Sequence, residues 1–230
     1  MIDAMTAPLP TVCSTSQITT YGNCPRQNAY KYVLKVPTLV TPEAMAKGAR
    51  VHEAIAASKV GTDIDDPEER QMVDRAARFL EVFPPNPVLE TTYEDRKNPG
   101  RFYGDVCGRR FVGIFDVHWT GPNVAVDWKT GTYKPKYATP LETQAYILGE
   151  LYRETYGDDL EVMAFVFLKS GDVHYARALG EGRSRTAAEK RIVTALAQIA
   201  AREWPKKPSP LCGYCEHREL CRLGAGGFVE

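Results

Sequence analysis

Asp116, Asp127 and Lys129 carry the residue types from which phosphodiester chemistry can be built, and one hairpin would gather them. If residues 120–123 turn the chain, Trp119 pairs with Val124, Val117 with Val126 and Phe115 with Trp128, giving one apolar face. The opposite face then carries Asp116 directly across from Asp127, with Lys129 two residues further on. Opposed carboxylates repel, and a divalent cation removes that cost. Mg²⁺ takes one or two carboxylates and keeps several waters, which leaves room for a substrate phosphate. A lysine beside it can orient or activate the attacking water, or stabilise charge building on a phosphorane-like centre. The same residues also read as a solvated face of two acids and a neutralising lysine, because short charged motifs recur by chance.

A second set of residues points to metal binding. Cys212, Cys215 and Cys221 form C-x2-C-x5-C, a spacing too tight for core filling. A closed site needs a fourth ligand. Cys24 is the best placed, since a helix begins at Pro25 and a helix N-terminus stabilises a thiolate. Structural zinc, with His217 in place of Cys24, is the competing reading. Cys13 and Cys107 receive no ligand role. His52 follows Gly48 by one helical turn, and a helix-interior glycine marks a close approach. That spacing suggests a histidine tucked against another element, either as a ligand through a neutral nitrogen or as an ordinary core or surface residue.

The elements that position these groups follow from periodicity. The first dozen residues read as a loose arm, and Ser16 precedes an amphipathic turn over 17–22. Pro25 opens a helix through residue 33, and Thr41-Pro42-Glu43 opens another to about residue 58. Asp66-Pro67-Glu68 starts a third, with Met72, Val73, Ala76, Phe79 and Leu80 on one stripe until Pro84, Pro85 and Pro87 end it. Residues 88–93, 102–107, 110–120 and 123–130 read as strands. A helix over 139–155, a hairpin of 160–168 with 173–179, and a long helix from Ser184 to Trp204 complete the order. The expected class is α/β or α+β with a mixed sheet flanked by helices. Residues 1–230 form one expected domain: a helical part over 13–87, a sheet core over 88–180, and the last helix with the cysteine cluster over 181–230.

The chain has 29 Lys+Arg against 29 Asp+Glu, which argues against a polybasic protein yet permits local phosphate-binding patches. Candidates are Arg101, Arg109 and Arg110; Lys134 and Lys136 interleaved with Tyr133 and Tyr137; and Arg183, Arg185, Lys190 and Arg191. Apolar runs are too short to span a bilayer and no leader peptide is read, so a cytoplasmic setting is expected, the host cytoplasm if the protein is viral.

In order and spacing, 16–26, Gly48 to His52, Gly113-Ile-Phe-Asp116, Val126-Asp127-Trp-Lys129-Thr-Gly and Gln144 resemble the PD-(D/E)XK nuclease superfamily, in particular RecB-type domains and CRISPR-associated DNA-end-processing exonucleases. The resemblance implies a restriction-endonuclease-like core, Mg²⁺ or Mn²⁺, and hydrolysis at DNA ends or single strands in recombination, repair or end processing, with a phage as one possible source. It makes His52, Asp116, Asp127 and the Trp128 carbonyl metal ligands, Lys129 the catalytic lysine, and Gln144 a positioning residue. It further implies a [4Fe-4S] cluster on Cys24, Cys212, Cys215 and Cys221, stapling the N- and C-terminal regions together. Two positions depart from the pattern: Asp127 stands where Glu is common, and the aromatic expected a turn after Gln144 is absent, with Tyr146 two residues on. Glu53 and Glu90 are possible supporting acids. The alternatives are a non-catalytic DNA-end-binding module and a zinc-stapled interaction domain.

Overall fold

The computed structural model describes residues 3–38, 43–57, 64–83, 87–89, 101–176 and 183–222. Glu90, Thr41, Pro42, Pro84 and Pro85 lie outside them, as do the side chains of Tyr137, Arg183 and Ser184. Seven α-helices and eight strands fall within them: β1 (Cys13–Ser14), α1 (Thr15–Asn23), α2 (Pro25–Asn28), α3 (Glu43–Ala56), α4 (Pro67–Leu80), β2 (Val88–Leu89), β3 (Arg101–Val106), β4 (Arg109–Ile114), β5 (Val117–Trp119), β6 (Val124–Lys129), α5 (Ala138–Tyr156), β7 (Val162–Phe167), β8 (Val173–Ala176), α6 (Arg183–Ala200) and α7 (Arg218–Arg222). The expected mixed α/β class is observed, as two sheets ordered β1-β4-β3 and β2-β5-β6-β7-β8.

Local chemistry sets the helix starts. Asp66 caps α4 by accepting from the amides of Glu68 and Glu69 at 2.8 and 3.0 Å, with Pro67 at the first helical position. Met72, Val73 and Ala76 bury the expected stripe. The cap of α1 is Ser14 rather than Ser16; its hydroxyl accepts from Gln17 N at 3.1 Å. Pro25 opens α2 as expected, and the segment continues as a π-turn over Ala29–Val33. Residues 3–12 are no loose arm. Ala4 and Ala7 are buried, Arg202 Nη1 donates to Ala4 O at 2.8 Å, and Cys13 pairs in parallel with Phe111.

The five-stranded sheet has a packed layer on each face. Ala125, Met163 and Phe165 belong to the layer with α1, α5 and α6; Val126, Trp128, Ala164 and Val166 face α3 and α4. The chain runs from β6 to the parallel strand β7 through α5, so that helix covers the face on which Asp127 and Lys129 alternate with Ala125. Residues 110–120, read as a single strand, break at Phe115 and Asp116 into β4 and β5. The ladder keeps Val117 opposite Val126 and Trp119 opposite Val124, as the sequence suggests. Phe115, however, leaves that register and packs on the α5 side against Phe102, His118 and Tyr152, across the sheet from Trp128. A bend turns side-chain alternation over, which a straight-strand register cannot anticipate.

Gly113 shows why this turn of chain stays close to α5. A Cβ there would stand 2.5 Å from Leu148 Cδ2 and 2.8 Å from Leu151 Cδ1. On the other face, α3 is clamped to α4 by Arg50, whose Nε and Nη2 lie 3.0 and 2.6 Å from Glu69 Oε1.

One buried polar group makes stability depend on pH. His118 is 3% exposed, its Nε2 stands 2.8 Å from the Tyr156 hydroxyl, and burial holds its pKa down at about 4. The unfolded chain therefore binds a proton near pH 6.5 that the native protein refuses until about 4. Stability contributed by the neutral ring is complete above pH 6.5 and is lost as pH falls toward 4, by no more than ~1.4 kcal/mol per pH unit. Urea midpoints of the wild type should drop more steeply between pH 7 and 4.5 than those of His118→Phe. Parallel curves would show that His118 contributes none of the slope.

Candidate active site and cysteine cluster

At the carboxyl ends of β6 and β7 a cleft of about 940 Å³ opens, lined among others by His52, Asp127, Trp128, Lys129 and Gln144. Asp127 and Lys129 come from β6, His52 from α3, Asp116 from the bend before β5, and Gln144 from the second turn of α5. Sequence reasoning paired Asp116 with Asp127 by register. The bend instead lets the Asp116 carboxylate do two jobs: Oδ2 accepts the Trp128 amide at 2.7 Å, and Oδ1 lies 3.3 Å from His52 Nδ1. The Gly48 spacing before His52 has its physical reason here, because a Cβ at Gly48 would lie 3.3 Å from Thr130 Oγ1. Helix α3 thus sits directly on the chain leaving β6.

Gln144 links acid and base. Its Nε2 donates to Asp127 Oδ1 at 2.6 Å, while its Oε1 accepts from Lys129 Nζ at 3.3 Å. These two partners fix the orientation of the amide. Lys129 Nζ also lies 2.6 Å from Asp127 Oδ2. Asp127 is 8% exposed, and burial pushes its carboxyl up; the Lys129 charge pulls it down and the Asp116 charge pushes it up again. A buried carboxylate facing a second carboxylate is the electrostatic setting that a divalent cation relieves. The donors therefore suit a hard cation: two carboxylates, an imidazole and the Trp128 carbonyl. Even so, among the described residues no group of three or more His, Cys, Asp or Glu side chains stands close enough to hold a metal as it is.

Other candidates disperse. Lys134 lines the cleft. Tyr133 instead packs on Phe167 with ring centres 5.1 Å apart and stacks on His174. Arg110 is bound to Glu154 at 3.0 Å, Arg109 to the Pro10 carbonyl, and Arg185 to Glu189 at 2.9 Å. Tyr146 donates to Glu189 at 2.9 Å, away from the cleft. Glu53 lines a separate hollow with Arg50 and Glu69. Thr19, Asn23, Lys169 and Leu211 line the same cleft without having been singled out by the sequence. For two of them a signal existed: Asn23 and Leu211 directly precede Cys24 and Cys212.

The four cysteines of interest share one neighbourhood. Burial raises the Cys215 thiol; the His217 amide at its sulfur lowers it, and Cys24, Cys212 and Cys221 raise it further. Burial likewise raises Cys221, with Cys24 adding to the effect and Arg26 and Lys206 opposing it. The Ser209 amide points at Cys212 Sγ from 3.4 Å. Amides aimed at sulfur suit anionic thiolates, and so suit a thiolate-bound metal group. Around them side-chain contacts join the N- and C-terminal regions. Arg26 Nε donates to Trp204 O at 2.8 Å, Tyr21 Oη to Glu203 O at 2.8 Å, and Lys31 pairs with Glu216 at 3.2 Å. His217 is 2% exposed and packs 5.5 Å from the Tyr30 ring.

A family model for the PD-(D/E)XK nuclease superfamily matches residues 12–222. No curated protein matches the sequence. Among solved structures, the crystal structure of SSO0001 is similar over 96% of this chain and 90% of that chain, at 12% identity and a TM-score of 0.47. No helix among the described residues is long and apolar enough to cross a membrane.

Proposed function

The chain belongs to the PD-(D/E)XK nuclease superfamily, and from that premise we propose that it is a metal-dependent, RecB-type exonuclease hydrolysing phosphodiesters at DNA ends, in recombination, repair or end processing. The observation that carries this reading is the linked set of Asp127, Lys129 and Gln144, closed by contacts of 2.6 to 3.3 Å at the mouth of a cleft. A Mg²⁺ or Mn²⁺ held by His52, Asp116, Asp127 and the Trp128 carbonyl would acidify a water and offset charge on the scissile phosphate.

The chain's own residues do the rest. Asp127 anchors the Lys129 ammonium, and Gln144 stops it from swinging away. With the aliphatic stem held beside the Phe165 ring, 5.5 Å from Nζ to its centre, the ammonium is poised where negative charge grows on the phosphate or where water must be oriented. Asp116, fixed by the Trp128 amide, holds His52 through its Nδ1 at 3.3 Å. Lys134 lines the cleft and supplies positive charge to a phosphate backbone, whereas Lys169 on the same wall is paired with Glu68 at 2.8 Å. Cys24, Cys212, Cys215 and Cys221 would hold a [4Fe-4S] cluster that ties both chain ends to this core.

End-labelled single- and double-stranded DNA, together with circular DNA, incubated with Mg²⁺, Mn²⁺ or chelator, tests the reading. Short products released from linear DNA only, and only with metal, are expected. Cleavage that persists in chelator, or circles cut as fast as linear strands, would overturn it; tight binding of ends with no turnover would mark a non-catalytic end-binding module.

A further inference from the structure

Beside the catalytic cleft runs a second groove of about 630 Å³, between α1 and α6 and over the first turn of α5. The two adjoin, with Thr19, Asn23 and Pro140 lining both. The walls of the second groove are largely apolar, with Ile18, Pro25 and Ala195 among them. Lys190, Arg191 and Lys207 stand on it, and among the described residues no acid lines it. In a chain whose 29 basic residues match 29 acidic ones, three cations without an acid mark a local field of one sign. These cations also lack acidic partners among the described residues. Arg191 Nη1 donates to Thr143 Oγ1 at 3.0 Å and Lys207 Nζ to the Gly22 carbonyl at 2.6 Å, contacts that hold the side chains without cancelling their charge. Arg185, earlier on the same helix, is by contrast neutralised by Glu189 and Glu150.

We infer that this groove is a track for the unpaired nucleic-acid strand leading away from the scissile phosphate, with Lys190 and Lys207 as its exposed phosphate contacts. The inference rests on the nuclease reading and extends it by naming the form of the substrate. A cationic groove with apolar walls suits a single strand, whose phosphates meet the lysines while its base faces lie on apolar surface. A duplex keeps its bases stacked inside and has no use for such walls. The two clefts adjoin at Thr19 and Asn23, so a strand that leaves one passes directly to the other.

The test compares wild type with Lys190→Glu/Lys207→Glu, and with the milder Lys190→Gln/Lys207→Gln, on a long single-stranded oligonucleotide and on bis(p-nitrophenyl) phosphate, which is too small to reach the groove. Charge reversal should lower kcat/KM on the oligonucleotide by about tenfold or more, chiefly through KM, and leave the small diester within about twofold. Binding of the oligonucleotide in chelator should show a salt slope shallower by about 1.4 in the Gln variant, two contacts at ~0.7 each. Equal losses on both substrates, or an unchanged salt slope, would overturn the track. If wild type cleaves neither substrate with any metal, the nuclease reading fails, and the salt slope alone still decides whether the groove holds a strand.

Discussion

Asp127→Asn is expected to lower phosphodiester turnover by about a thousandfold or more, ~4 kcal/mol of barrier, while leaving the fold as stable as before. The two halves of that expectation have one cause. Asp127 is 8% exposed, and burial already pushes its carboxyl toward the neutral form, with the Asp116 charge adding to the effect. An uncharged amide of the same shape therefore removes a group that the fold tolerates at a cost. It also keeps an oxygen for the Gln144 Nε2 now 2.6 Å away. Lys129 loses its partner, but its side chain is 30% exposed and can turn to water in the cleft, so no charge is stranded in the core. Function has no such refuge. The neutral residue would no longer neutralise the proposed divalent cation and would no longer anchor the ammonium. Turnover with Mn²⁺ and urea midpoints, measured on the same preparation, check both halves; near-wild-type turnover would remove Asp127 from the proposed machinery.

The readings that held in the sequence were those set by short-range chemistry. Asp66-Pro67 names its own helix start because cap and ring act within one turn. Val117 and Val126 face each other because strand alternation survives from the turn inward. Gly48 marks a close approach, since a Cβ there would stand 3.3 Å from Thr130 Oγ1, a tight contact. What was illegible depends on contacts between distant segments. The bend at Phe115–Asp116 reverses the side of the sheet on which Phe115 packs, and no local residue announces it. Asp116 gains the Trp128 amide only because that bend exists. The N-terminal segment looks loose by composition, yet two buried alanines and the Cys13 pairing hold it on the core. Basic residues sort by their tertiary partners as well. Among the described residues Lys190 and Lys207 have no acidic partner, whereas Arg110 and Arg185 are matched by acids that the sequence places far away or a turn along.

Cys24→Ser is expected to remove the iron and sulfide of the proposed cluster and to destabilise the protein by several kcal/mol. Cys24 and Cys212 are 188 positions apart (212 − 24), so a cluster joining them closes nearly the whole chain. A cross-link over a loop of that length is worth ~5 kcal/mol in restricted unfolded-state entropy. The remaining ties are single contacts, such as Arg26 to the Trp204 carbonyl and Lys31 to Glu216 at 3.2 Å, the latter half-exposed and worth little by itself. The ends should therefore stay near each other and melt early, rather than fall apart. Activity should suffer as a consequence, because Asn23 and Leu211, the immediate neighbours of Cys24 and Cys212, form part of the catalytic cleft wall. Lys129→Ala separates the two roles: it should abolish turnover with iron content and melting unchanged, whereas Cys24→Ser should lose iron and stability first and turnover in proportion. Full iron content and an unshifted melting midpoint in Cys24→Ser would show that this cysteine is no ligand; stoichiometric zinc without iron in wild type would replace the cluster by a zinc staple on the same sulfurs.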